Sequence, residues 1–167
     1  DIIRKAGIPR GSFYQYFEDK KDLYLHLVDI TKNKKFEYLG DAYSNPKLPF
    51  LDTIALLYKR GIKFALAYPK LVEIFEKLLH NQNQIYEEII ASNKHLAIDF
   101  YKKMIVQDQE DGLLRKDLPI DTLANLVYDL TINVTVSNLD ITNPVKSYQM
   151  METHIHHIID ILRKGIY

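Results

Sequence analysis

Apolar residues recur at three- and four-residue intervals along almost the whole chain, and Gly or Pro interrupts the rhythm again and again. Leu23, Leu27 and Ile30 form one such set, with Tyr24 and Val28 on its flank. Ile54, Leu57, Tyr58, Ile62, Ala65 and Leu66 form another, and Leu71, Val72, Phe75, Leu78 and Leu79 a third. A longer set runs through Ile85, Tyr86, Ile89, Ile90, Leu96, Phe100, Tyr101, Met104 and Ile105. This is the 3.6-residue period of helices with one buried face. No stretch alternates as a strand would, and no short internal repeat is present. The chain is therefore expected to be all-α, with helices joined by short loops. Its 167 residues allow one or two domains and a sizeable core.

Punctuation sets the expected boundaries. One helix, N-capped by Asp19 with Asp22 three residues on, runs to about Leu39 and stops at Gly40. Ser44 to Pro49 is a turn-rich loop. Phe50 to Ala67 is helical, and Gly61 within it weakens the helix while permitting close packing. Tyr68-Pro69 opens a short helix. Asn81 to about Gln109 forms a long one, ended by Asp111-Gly112. Asp121 is expected to cap a helix to roughly Asn138. Asn143-Pro144 opens the last, to about Lys164, with Gly165 beyond it.

The beginning of the chain is more specific. Ile2 and Ile3 lie in a short helical run that stops at Gly7, a residue that tolerates the left-handed backbone closing a helix. Pro9 suits the start of the next helix, where a missing N–H costs nothing. Phe13 and Phe17 fall four apart on one face. Arg10, Gly11, Tyr14 and Gln15 lie toward the other. A short helix with an aromatic inner side and an Arg/Tyr/Gln outer side fits the second helix of a helix-turn-helix.

Ala6-Gly7-Ile8, Gly11-Ser12-Phe13-Tyr14-Gln15-Tyr16-Phe17, Lys20 and Leu23 together closely resemble the TetR family of bacterial transcription repressors. The sequence departs from the family pattern at Pro9 (usually Ser), Phe13 (usually Leu) and Gln15 (often Arg or Tyr); Gln15 could alter base preference. The loop from Gly112 to Leu118 resembles a turn found in the same family, more loosely. The resemblance implies a helix-turn-helix DNA-binding head with its linking helix over residues 1–39. A ligand-binding and dimerisation body would follow over 40–167. It also implies that about 25–35 N-terminal residues are absent from the start, since such a head needs an earlier helix to cover Phe13 and Phe17.

Charge agrees with that division. The whole chain balances 22 basic against 22 acidic residues. The first 35 residues hold eight Lys or Arg and five Asp or Glu; the rest hold 14 and 17. A mildly basic head suits phosphate. There is no cysteine, which excludes disulfides and thiolate metal sites and agrees with a reducing cytosol. No apolar run is long enough to span a bilayer.

In the head, Arg10 carries the fork that pairs with guanine O6 and N7, and Gly11 lets the backbone approach DNA closely. Ser12, Tyr14 and Tyr16 offer hydroxyls, and Lys20 an ammonium to phosphate. Gln15 completes the set. The resemblance places Arg10, Gly11 and Ser12 near bases, and Tyr14, Tyr16 and Lys20 on phosphates. In the body, Tyr58, Phe64, Phe75, Tyr86, Phe100, Tyr101 and Tyr128 are core rings by position; the resemblance makes them the surroundings of a small-molecule site. Asn125, Asp129 and Asn133 form a polar stripe that is a solvent face, an interface edge or a pocket wall. If Asp129 lines a pocket, it favours cationic ligands.

Leu123, Leu126, Val127, Leu130 and Val134, with Tyr148, Met151, Ile155, Ile158, Ile159 and Leu162, suggest a homodimer through the last two helices. Two heads then address two half-sites of a palindrome. His154, His156 and His157 are better read as surface or interface residues than as a metal site. No cofactor is implied. No nucleophile–base pair, phosphate loop or metal motif points to an enzyme. The leading expectation is a DNA-binding repressor released by a small molecule. The alternative is an all-helical protein that binds a small molecule or partner without regulating DNA.

Overall fold

A computed structural model describes residues 2–44, 48–81, 84–140 and 142–166, apart from the side chains of residues 75, 76, 78–81, 84–86, 88–90, 92 and 166. Among the described residues the chain is all helix: α1 (Ile2–Ala6), α2 (Arg10–Tyr14), α3 (Lys20–Leu39), α4 (Asp41–Ser44), α5 (Phe50–Ala67), α6 (Pro69–Asn81), α7 (Gln84–Glu110), α8 (Ile120–Asn138) and α9 (Pro144–Ile166). It divides into two compact units, residues 1–37 and 38–167, with the division inside α3.

The first unit is built by local chemistry. Gly7 takes φ +66°, which closes α1, and Ile8 N–H donates back to the Ile3 carbonyl at 3.3 Å. Pro9 stands at the N-cap of α2 with extended backbone. Phe13 turns inward and is 8% exposed; its ring meets Phe17 at 5.4 Å, and Phe17 meets His26 of α3 at 5.6 Å. Asp19 caps α3: its Oδ1 accepts the Asp22 N–H at 2.8 Å. Asp22 Oδ2 accepts the Glu18 N–H at 3.0 Å, so the reciprocal bond of the capping box falls one residue earlier than usual.

The second unit is a helical body whose core lies where α5, α7, α8 and α9 meet. Phe50, Leu51 and Ile54 of α5 pack with Ile98, Met104 and Ile105 of α7. Leu123, Ala124 and Val127 of α8 and Ile155 and Ile159 of α9 complete this core. A smaller cluster joins Val134, Tyr148 and Met151, with Tyr58, Ile62 and Ala65 against it. The start of α5 is held by a residue far along the chain. Buried Asp108 of α7 accepts the Phe50 N–H at 2.7 Å, which satisfies one of the amides that a helix start leaves open. The end of α7 turns through Gly112 at φ +73°, and the Leu113 and Leu114 amides return to the Asp108 carbonyl at 2.8 and 3.0 Å. Gln109 Nε2 then donates to the carbonyls of Arg115 and Leu118, which fixes the loop to α8.

Several expectations are corrected. Asp121 does not cap α8; Pro119 is the N-cap, without a side-chain bond, and the Asp121 carboxylate instead meets Lys102 Nζ at 2.5 Å. Gly165 lies inside α9. Gly61 permits no close packing, because a Cβ placed there would meet nothing within 4 Å. Asp41–Ser44 forms a short helix that the periodicity does not reveal.

The two apolar sets on α8 and α9 do not face outward as a whole. Leu123, Val127, Val134, Tyr148, Met151, Ile155 and Ile159 are buried within the chain's own body. Among the described side chains, the large apolar residues left exposed on these helices are Leu126, Ile132, Val136, Val145, Met150 and Ile161. Periodicity finds the apolar face of a helix, but a face can be filled by the same chain or by a partner.

Candidate nucleic-acid interface

The outer side of α2 and the turn after it carries the candidate residues. Arg10, Gly11, Tyr14, Gln15 and Tyr16 are exposed, Tyr14 by 54% and Tyr16 by 78%. Ser12 is half-buried. The burial of Phe13 turns Gly11, Tyr14 and Gln15 outward, since residues one and two positions away on a helix cannot share its face. The Arg10 guanidinium lies 5.9 Å from the Tyr14 ring centre, and that ring stands edge-on to Phe13 at 5.2 Å. Lys20 opens α3, exposed, its ammonium 5.8 Å from the Tyr24 ring. The Asp19 carboxylate already takes the third amide of α3, so Lys20 offers chiefly its own charge rather than an open helix terminus.

Gly11 has an informative environment. It sits in a helix with ordinary backbone, where glycine costs stability relative to alanine. A Cβ there would meet nothing within 4 Å. Nothing in the chain's own fold calls for glycine at this position. The property a glycine gives there is a backbone open to close approach from outside.

Residues 1–27 match the family described as bacterial regulatory proteins of the tetR family. The crystal structure of a TetR family transcriptional regulator from Chloroflexus aurantiacus J-10-FL is similar to the whole chain, with a TM-score of 0.65 and 29% sequence identity. That likeness covers 99% of this chain and 81% of the other. No curated protein matches. Residues 1–27 thus match the TetR family, and the whole chain is similar in fold to one of its regulators.

The aromatic residues of the body fall into three groups. Tyr38, at the end of α3, meets Phe64 and Tyr68 with ring centres 5.8 Å away in each case. Tyr43 of α4 stacks on Phe100 at 4.8 Å, and Phe100 adjoins Tyr101, which meets Phe50 edge-on at 5.6 Å. Tyr58 hydrogen-bonds Thr135 of α8 at 2.9 Å, and Tyr101 hydrogen-bonds Thr131, one turn earlier. Burial pushes the Tyr101 hydroxyl up to about 12, so it stays protonated at any physiological pH. Burial also raises Tyr58. Tyr128 is 7% exposed, with the Lys94 ammonium 5.1 Å from its ring. The side chains of Phe75 and Tyr86 lie outside the described residues.

Asp129 shares the Lys94 ammonium with the Tyr128 ring. It is exposed, and its carboxylate accepts from Lys94 Nζ at 2.9 Å. Asn125 donates back to the Asp121 carbonyl, and Asn133 accepts from Ser137 at 2.9 Å. Asn133 also lines an open cleft of about 390 Å³ between α8 and α9, with Val134, Ser137, Asn138, His154, His157 and Ile158. His154, His156 and His157 are all exposed. Among the described residues, no three His, Cys, Asp or Glu side chains are placed to hold a metal ion, and no helix is long and apolar enough to cross a membrane.

One residue that periodicity passes over fastens the linking helix. Arg60 of α5 donates to the Leu39 carbonyl at the end of α3 and to Asp41 Oδ1 at 3.0 Å. The Arg60 guanidinium holds the Asp41 carboxyl below the usual carboxylate range, first by that hydrogen bond and then by its charge. No sequence pattern announces Arg60, because it is one of several cations on the polar side of α5.

Proposed function

We propose that this chain is a TetR-family regulator, a repressor that binds operator DNA as a homodimer and leaves it when a small molecule enters the body. One observation carries the reading: the outer side of α2 presents Arg10, Gly11, Tyr14, Gln15 and Tyr16 to solvent over a buried Phe13. Arg10 reads a guanine edge, and Tyr14, Tyr16 and Lys20 take phosphates. The small molecule enters among the rings of the body, of which Tyr58, Phe100, Tyr101 and Tyr128 border one core cluster and Phe64 sits with Tyr38 and Tyr68. Asp129 is exposed and paired with Lys94, so it is no part of that site.

The route from ligand to DNA runs along α3. Its last residues are tied to α5 by Arg60 and by the contact of Tyr38 with Phe64. A ligand that moves α5 moves the end of α3, and with it the spacing of two heads in a dimer. Release requires only that ligand and DNA prefer different spacings. Two subunits pair through the exposed sides of α8 and α9, where Leu126, Ile132, Val136, Met150 and Ile161 are uncovered.

Binding of the full-length protein to a duplex from its own promoter tests the reading, with a scrambled duplex of equal length beside it. The promoter duplex is expected to bind about 1,000-fold tighter or more, the lower bound for specific recognition. Equal affinity for the two duplexes would contradict it.

A further inference from the structure

Arg10 is exposed and stands at the first position of a helix of five residues. An exposed arginine ordinarily samples many rotamers, and fixing one on binding weakens both affinity and the choice between bases. Here the guanidinium lies 5.9 Å from the centre of the Tyr14 ring, within reach of a cation–π contact. The two residues are four apart, the spacing that brings side chains together on a helix. The ring is itself held. It stands at 88° to the Phe13 ring, and Phe13 is buried against Phe17. A buried ring thus orients a half-exposed ring, and that ring orients a cation.

We propose that Tyr14 is the positioning residue for Arg10, so that base discrimination depends on its ring while its hydroxyl serves affinity alone. The proposal rests on the DNA-binding reading above. A guanidinium fork takes guanine O6 and N7 together only near the plane of the base. A ring that restricts the fork to few orientations favours that pairing over looser single contacts.

The test uses the full-length protein and a duplex that it selects from a random pool. The base pair read by Arg10 is the one at which Arg10→Ala abolishes preference. The quantity measured is the ratio of Kd values for that base pair and its replacements. Tyr14→Leu is expected to lower the ratio about two- to five-fold, the effect of losing an exposed cation–π contact. Tyr14→Phe is expected to keep the ratio and to weaken binding to every duplex alike. In an Arg10→Ala background, Tyr14→Leu should leave the ratio unmoved. A folded Tyr14→Leu protein with the native ratio overturns the proposal, as does an equal loss in Tyr14→Phe and Tyr14→Leu.

Should Tyr14→Leu fail to fold, the free native protein still decides. The Arg10 side-chain protons are expected upfield in its NMR spectrum, under the Tyr14 ring, and ordinary shifts overturn the proposal. A native protein that selects no duplex defeats the DNA-binding reading and this proposal together. Selection with an unmoved ratio defeats this proposal alone.

Discussion

Gly11 is the residue at which the needs of the fold and the proposed needs of DNA pull apart. Helix propensity favours alanine there by up to about 1 kcal/mol, and the added methyl has open space. Gly11→Ala is therefore expected to raise thermal stability slightly and to weaken duplex binding, as shown by a melting curve and a titration on the same sample. A variant that is stabilised and binds as before would separate Gly11 from the interface. Asp108 is the opposite case, a residue that serves only the fold. Burial raises its carboxyl above the ordinary value, partly offset by the bond from Phe50 N–H. Between the ordinary and the raised value the folded chain holds more protons than the unfolded one, so this contribution to stability falls as pH rises through that window. Asp108→Asn keeps an acceptor for the Phe50 amide and removes the titration. The stability of the native protein relative to Asp108→Asn should thus be greater at low pH than at neutrality, as measured by urea unfolding across a pH series. A pH-independent difference would show that Asp108 titrates normally.

At the scale of the element, α3 matters because its end is fastened to α5. Arg60 holds the Leu39 carbonyl and Asp41, and Tyr38 lies among Phe64 and Tyr68. Arg60→Ala should cost about 1 kcal/mol, since the bonds are partly exposed. If α3 transmits ligand binding, the same change should leave duplex affinity nearly intact and blunt release by the effector. Full release would place the coupling elsewhere. Such ties also mark where the sequence stops being readable. Gly7, the Phe13–Phe17 spacing and the Asp19 cap act over a few residues, so the head and the start of α3 were legible from composition and spacing. Arg60–Leu39 joins residues 21 apart, and Asp108–Phe50 residues 58 apart; a periodic pattern holds no record of such partners. Gly61 misled for a related reason: a helical glycine looks the same whether its surroundings are crowded or empty.

For the whole molecule, the central expectation is a two-fold dimer carrying two heads. The apolar sets of α8 and α9 were legible as sets, but most of their members fill the body's own core, and only the structure separates those from the residues left outside. Leu126→Glu with Val136→Glu places charge on the exposed side and spares the core. Monomers at micromolar concentration are expected in analytical ultracentrifugation, with the helical content retained; a persisting dimer would move the interface elsewhere. The claim on which all of this depends is that the outer side of α2 and the start of α3 meet DNA phosphate and bases. The salt dependence of duplex binding by the native protein and by Lys20→Ala tests it most directly. A straight fall of log K against log salt is predicted, with a slope shallower by about 1 for Lys20→Ala. A flat line for the native protein, or identical slopes for the two, would contradict it.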